Sequence, residues 1–194
     1  MNENDQIRKY HRDDCITFKS TKGIYGGLSN MAPGFPIKIN DFYIRNSEVL
    51  YQALRYPDYP DIQKVILGMN SPMSAKQYSR KFIQNTRPDW DENRFRIMRL
   101  CVEIKLVQNW SKFSVILKST ENYSIVEYST EDKIWGACKH GEYYIGVNAL
   151  GRLLMELREK LRHDMFSLTI PNIDNLTILG IDLKEVLIFQ YSNR

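Results

Sequence analysis

The chain has 194 residues, enough for one domain with a substantial core. Its 43% hydrophobic and 26% charged residues exclude a wholly disordered chain, and a net charge of +4, with Lys and Arg dispersed, tolerates a polyanionic partner without demanding one. Cys15, Cys101 and Cys138 are an odd number without close spacing, which speaks against a disulfide framework or a zinc knuckle and fits a reduced compartment. No apolar stretch approaches the roughly 20 residues that cross a bilayer, and the polar N-terminus carries no secretory signal. A cytoplasmic protein without membrane contact is expected. The 12 tyrosines suit polar clefts and interfaces as well as a core.

Residues 1–14 read as a flexible arm. Ile16 to Lys19 alternates like a short strand, and Gly23, Gly26 and Gly27 punctuate the loop that ends at Leu28-Ser29-Asn30. Two short apolar runs flank Asn40-Asp41, the pattern of a tight hairpin. A helix opens at Ser47, with Leu50, Ala53 and Leu54 on one stripe and Pro57 as its stop. Ser71-Pro72 opens another, expected to run to about Gln84, because serine caps and proline fits the first turn. From Pro88 to Asn109 a long helix carries two apolar stripes, so it should be buried on more than one side. Tyr123 to Tyr128 reads as a strand, and 131–147 as a glycine-punctuated loop. Asn148 then caps a helix that buries Leu150, Leu153, Leu154, Leu157 and Leu161. Leu176–Ile181 and Val186–Tyr191 read as a terminal strand pair. The expected fold is α+β and mainly helical, with short N-terminal strands and a hairpin, and a small C-terminal strand extension over 163–194 packed on the domain.

The sequence lacks a phosphate-binding P-loop, a G-x-G-x-x-G turn, an H-E-x-x-H helix and a G-x-S-x-G elbow. His11, His140 and His163 offer no metal-ligand spacing, and no metal or cofactor is expected. Cys138-x-His140 is a thiol near an imidazole, read as an ordinary loop pair, since thiol catalysis needs a geometry this spacing does not supply. Carboxylates, a lysine and aromatics in loops and at helix starts remain. They suit glycosidic chemistry, whose cationic sugar-like transition state asks for negative charge and a proton donor.

Several segments in order carry a resemblance to a known family. They are Ile16-Thr17-Phe18 with Leu28-Ser29-Asn30, the run Asn46 to Ala53 (NSEVLYQA), Ser71 to Lys76 (SPMSAK), Arg87-Pro88-Asp89-Trp90, Val126 to Ser129 (VEYS), Asp132 to Gly136 (DKIWG), and Gly146 to Met155 with Arg158. Together they resemble the NADAR (YbiA-like) family and delimit a catalytic domain over 15–162. The resemblance implies an N-glycosidase that needs no metal and no redox cofactor. Two substrate classes go with the family: phosphorylated riboflavin-pathway intermediates, and ADP-ribose on guanine bases of DNA, removed by antitoxins of DarT-type toxins. The chain departs from the family's common pattern at Leu28, where phenylalanine is frequent, and at Val49, where histidine is frequent. Lys76 matches the guanine-directed branch.

Under that resemblance Lys76, in the second turn of its helix on a stripe with Met73, Arg80 and Ile83, is the candidate nucleophile, through an opened-ring imine. Glu48, at a helix start, is the candidate general base or stabiliser of the cationic sugar. Asp132 is the third candidate carboxylate, with Trp135 as a stacking platform and Gly136 allowing close backbone approach; an Asx-turn beside a core tryptophan explains the same residues. Asn148 reads as a helix N-cap whose neighbouring free amides can take a phosphate. Ser29 and Asn30 are candidates for ribose or phosphate, while Trp90 and Arg158 read as structural. Arg158 is expected to pair near Glu156 or elsewhere in the core, Glu127 included. The expected function is removal of ADP-ribose from guanine in nucleic acid, with a cognate DarT-type toxin as a possible partner. The alternatives are hydrolysis of a riboflavin-pathway intermediate, and a module that binds ADP-ribose or a nucleotide without turnover.

Overall fold

The computed structural model describes residues 6–191. In chain order the strands are β1 (Arg8–His11), β2 (Cys15–Phe18), β3 (Ile37–Ile39), β4 (Phe42–Ile44), β5 (Ser124–Glu127), β6 (Cys138–His140), β7 (Tyr143–Gly146), β8 (Thr177–Ile178) and β9 (Ile181–Asp182). The helices are α1 (Ser47–Ala53), α2 (Pro60–Leu67), α3 (Pro72–Arg80), α4 (Trp90–Gln108), α5 (Trp110–Lys118), α6 (Ala149–Arg162) and α7 (Leu183–Tyr191). The fold is α+β and mainly helical. Among the described residues no helix is long and apolar enough to cross a membrane. The described residues gather into two compact units, residues up to 32 with 110–167, and residues 33–109 with those from 168 on.

In the first unit β1, β7 and β6 form an antiparallel sheet in that order, and β2 pairs with β5 in parallel. The leucines of α6 recur at helical spacing, so Leu150, Leu154 and Leu157 are buried on one face, the face that packs on β5. That packing requires Gly151, where a Cβ would overlap the carbonyl oxygen of Ile125 in β5. Phe113 and Leu117 of α5 complete this core beside the 3-10 turn Gly26–Leu28.

The second unit starts with the β3–β4 hairpin, turned at Asn40 in a left-handed conformation (φ 50°). The Asn46 side chain caps α1 by accepting from the amide of Val49 at 3.1 Å, and Ser71 caps α3 by accepting from Ser74 at 3.3 Å. Helix α1 packs against α2, α3 and α4. Both stripes of α4 are buried, Met98 and Val102 as well as Ile97, Leu100 and Ile104. The 168–191 segment is held to this unit by polar side chains. Gln63 donates to the Thr177 carbonyl and accepts from the Leu179 amide, Glu103 accepts from Thr169, and Arg87 donates to the carbonyls of Asp174 and Asn175.

Several expectations are corrected. Residues 8–14, expected within a flexible arm, form β1 and a 3-10 turn because β7 offers β1 a complete backbone ladder; residues 1–5 lie outside the described residues. The loop expected over 131–147 contains the β6–β7 hairpin, turned at Gly141 (φ +57°). Helix α3 ends at Arg80, and Ile83, expected on its stripe with Lys76, lies in a separate 3-10 turn. Helices α2 and α5 carry no counterpart in the sequence reading. At the C-terminus the strand pair is β8–β9, while the apolar run expected as its second strand is α7: its Leu183, Val186 and Leu187 are buried at helical spacing.

Candidate functional site

Glu48 lies in the first turn of α1 and is 6% exposed. A carboxylate is held there at a desolvation cost, so its contacts are informative. Gln52, one turn on, donates its amide to Glu48 Oε1 at 2.8 Å. Tyr51 of the same helix has its phenol pushed well above the ordinary tyrosine value, first by burial and then by the negative charge of Glu48. Cys101, inside α4, is pushed up for the same two reasons in the same order. Glu48 therefore acts as the local negative charge of a buried cluster that joins α1 to α4. The guanidinium of Arg94 partly offsets it at Tyr51, as does that of Arg55.

The aromatic wall of this cluster is Tyr51 on Trp90, with ring centroids 5.0 Å apart. Arg55 stacks over the other ring of the pair, Trp90, at 5.1 Å and donates to Thr86 at 2.8 Å. Trp90 is set in turn by Arg87 and Asp89. The buried Arg87 guanidinium grips both Asp89 oxygens at 2.5 and 3.0 Å, and this hydrogen bonding holds the Asp89 carboxyl below the usual carboxylate range. Sequence reasoning gives no role to Tyr51, Arg55, Arg94 and Cys101, whose partners lie some thirty to fifty residues away along the chain, nor to Gln52, whose bond to Glu48 is local but depends on the burial of α1. Trp90 anchors the start of α4, as expected of a structural residue. Lys76 is half-buried in α3, the helix that packs on α1, so Glu48 and Lys76 lie on neighbouring helices.

The other candidates belong to the first unit. Asp132 Oδ1 accepts from the amides of Ile134 and Trp135 at 2.9 and 2.8 Å, an Asx-turn that fixes the loop bearing the half-buried indole of Trp135. This loop is strapped to the start of α6 by main chain: Val147 donates to Lys133, Asn148 to Gly136, Ala149 to Ile134 and Leu150 to Trp135. The amides of Asn148, Ala149 and Leu150, expected to be free for a phosphate, are therefore occupied. Nor does Asn148 cap α6 with its side chain. It adopts a left-handed conformation (φ 52°) and turns its amide onto β5, donating to Ile125 at 2.8 Å and accepting from Glu127 at 3.1 Å, so it stands in for a strand partner. Gly136 is a close-approach glycine, but what comes close is the carbonyl of Glu127. The structure thus joins Asp132, Trp135, Gly136 and Asn148 into one braced loop.

Ser29 and Asn30 are both buried after the 3-10 turn, and Ser29 Oγ accepts from Met31 at 3.2 Å. The two departures, Leu28 and Val49, are completely buried packing positions. Arg158 is buried and bonds to Glu159, to the Thr120 hydroxyl and to the Tyr123 carbonyl, rather than to Glu156 or Glu127. Among the described residues no group of three or more His, Cys, Asp and Glu side chains is gathered as a metal ion requires.

These positions can be set against known proteins. Residues 17–162 match the NADAR domain. The chain is 33% identical over 156 residues to the N-glycosidase YbiA of Escherichia coli, covering 80% of this chain and 94% of that one. An N-glycosidase of Nostoc punctiforme is 34% identical over 147 residues, covering 75% and 90%. A riboflavin biosynthesis protein of Vibrio vulnificus is 33% identical, covering 80% of this chain but 41% of its own length. The solution structure of E. coli YbiA superposes with a TM-score of 0.67 at 31% identity, over 84% of this chain and 93% of that one. The buried Glu48 cluster and the braced 132–136 loop both lie inside the matched span, and on this match the chain belongs to the NADAR domain family.

Proposed function

We propose that the protein is an N-glycosidase whose substrate is ADP-ribosylated guanine in nucleic acid. The observation that carries the proposal is the buried Glu48 carboxylate, braced by Gln52 and set beside Tyr51, in a chain whose relatives from E. coli and N. punctiforme are named N-glycosidases. Breaking the bond between a ribosyl anomeric carbon and a base leaves the bonding pair on the base and positive charge on the sugar. A preorganised carboxylate in a dry site stabilises that charge far better than water does, and it can take the proton of an incoming water. Lys76 is assigned as the nucleophile. Its amine attacks the anomeric carbon as the base departs with a proton, the ring opens to an imine, and water then hydrolyses the imine, returning the free amine and the sugar.

The test is an oligonucleotide carrying ADP-ribosyl-guanine, with released ADP-ribose followed by mass spectrometry. Release that falls about 10²- to 10⁴-fold in Glu48→Gln supports the carboxylate role. Loss in Lys76→Ala, with a borohydride-trapped adduct in the wild type that the variant lacks, supports the nucleophile. A second reading is favoured by one observation, that relatives from V. vulnificus and Zea mays bear the name of riboflavin biosynthesis proteins. Release from a phosphorylated riboflavin-pathway intermediate, with none from the oligonucleotide, selects that reading.

A further inference from the structure

The sheet β1-β7-β6 plays no part in the chemistry above, and its composition is unusual. Its strands read Arg-Lys-Tyr-His, Tyr-Tyr-Ile-Gly and Cys-Lys-His. They contain no carboxylate, and Arg8, Lys9 and Lys139 give this small sheet a formal +3, against +4 for the whole chain. Register sorts the residues onto faces. Tyr10 lies opposite Tyr144, and Tyr144 lies opposite Lys139, so these three share one face, with Arg8 two residues before Tyr10 on the same side. The Tyr144 ring meets the Tyr128 ring at 5.7 Å, and the Lys19 ammonium sits 5.0 Å above Tyr128. Arg8, Tyr10, Lys19, Tyr128, Lys139 and Tyr144 therefore form a contiguous surface of rings and cations. The three tyrosines are half-buried, and the three cations are exposed.

A core-facing sheet buries its rings, and a merely solvated one mixes both signs of charge. This face does neither. Flat half-exposed rings on a sheet, interleaved with Lys and Arg, match a partner that offers aromatic faces and negative charge in alternation. We propose that this face binds single-stranded nucleic acid, with bases stacked on Tyr10, Tyr128 and Tyr144 and phosphates neutralised by Lys19 and Lys139. The inference rests on the nucleic-acid reading of the substrate for its purpose, the strand that carries the modified base. A duplex, whose bases are already stacked on one another, would meet only the cations.

The test uses the full chain and fluorescence anisotropy with unmodified labelled oligo(dT), oligo(rU) and a duplex of equal length. Both single strands bind more tightly than the duplex, and the ratio between them reports whether the 2′-hydroxyl is read. Tyr10→Ala and Tyr128→Ala each weaken single-strand binding about fivefold to 150-fold, the loss of one stacked base. Lys19→Glu combined with Lys139→Glu, both at exposed positions, makes the slope of log affinity against log salt shallower by about 1.4, roughly 0.7 for each lost phosphate contact. Thermal unfolding checks that each variant is folded, and the lysine pair decides the matter should a tyrosine variant unfold. No single-strand binding at low salt, tighter binding of the duplex, or folded variants that bind like the wild type would each overturn the proposal. The two readings separate cleanly. Binding that these substitutions weaken, without ADP-ribose release, leaves this surface standing and removes the enzymatic assignment. Release that Glu48→Gln abolishes, with oligonucleotide affinity and KM untouched by the surface substitutions, does the reverse.

Discussion

The two units solve the problem of buried polarity in opposite ways. The unit of residues 33–109 and 168–194 buries four carboxylate, lysine or arginine side chains, Glu48, Arg87, Glu103 and Lys105, among the described residues, while the other buries one, Arg158. That other unit closes instead by main chain on main chain. At Gly136, Gly146 and Gly151 a Cβ would collide with backbone, whereas the glycines at 34, 68 and 180 meet nothing closer than 3.4 Å. The difference teaches where each unit is vulnerable. Functional groups can be exchanged in the first at constant shape, so it suits chemistry. In the second, shape itself depends on atoms that are absent, so it suits holding a loop rigid.

The sharpest way to break the comparison is a methyl group. In an ordinary helix interior Gly→Ala stabilises by up to about 1 kcal/mol. Gly151→Ala reverses that sign, because its Cβ meets the Ile125 carbonyl and the Asn148 amide, neither of which can give way without parting α6 from β5. A loss of about 3 kcal/mol is expected by urea denaturation. Gly68→Ala, at the end of α2 with its nearest atom at 3.4 Å, is expected to stay within about 0.5 kcal/mol. Equal effects at the two glycines would erase the distinction between the units.

The next effect tests side-chain bracing. Arg87→Met keeps the apolar stem but removes the grip on Asp89 and the donors to Asp174 and Asn175. Buried acceptors left without donors cost about 1–3 kcal/mol. Because the Asp89 side chain is 32% exposed, water recovers part of that loss, and about 2 kcal/mol is expected. The same substitution loosens the start of α4, so protease cleavage near residues 172–176 should accelerate. Unchanged cleavage would mean that Gln63 and Glu103 hold the C-terminal segment without it.

These contrasts also explain what could be read in advance. Helices α1 and α3 announce themselves through side-chain caps and 3.6-residue spacing, α4 and α6 through spacing alone, and the β3–β4 hairpin through Asn40-Asp41. Helix α2 has Pro60 at its first position and Gly68 at its end but no side-chain cap at Tyr59, and Pro57 just before it reads as the end of α1's region; α5 starts one residue after α4 closes at Asn109 and has no start signal of its own. Short apolar runs such as Val186 to Tyr191 suit strand and helix equally, and burial against one face decided for α7. The motif singles out Glu48 as a candidate but not the cluster around it, because Trp90, Arg94 and Cys101 reach it only through the packing of α4 on α1. Asn148 was misread for a related reason: a cap residue and a strand mimic use the same side chain, and only tertiary context separates them.

Lys105 sharpens the comparison from the side of charge. It is 1% exposed in α4, its ammonium lies 4.5 Å above the Phe35 ring, and burial pulls its pKa down from 10.5 to about 7. Between those values the unfolded chain binds a proton that the folded chain does not, so stability rises with pH across the window from about 7 to 10.5. The slope from this one group cannot exceed about 1.4 kcal/mol per pH unit. Below pH 7 both states carry the proton and the slope vanishes. Lys105→Met, similar in length and without a charge to desolvate, should flatten stability against pH within that window and leave it unchanged in shape below pH 6. A wild-type curve already flat from pH 7 to 10 would show that the ammonium keeps its charge inside the fold.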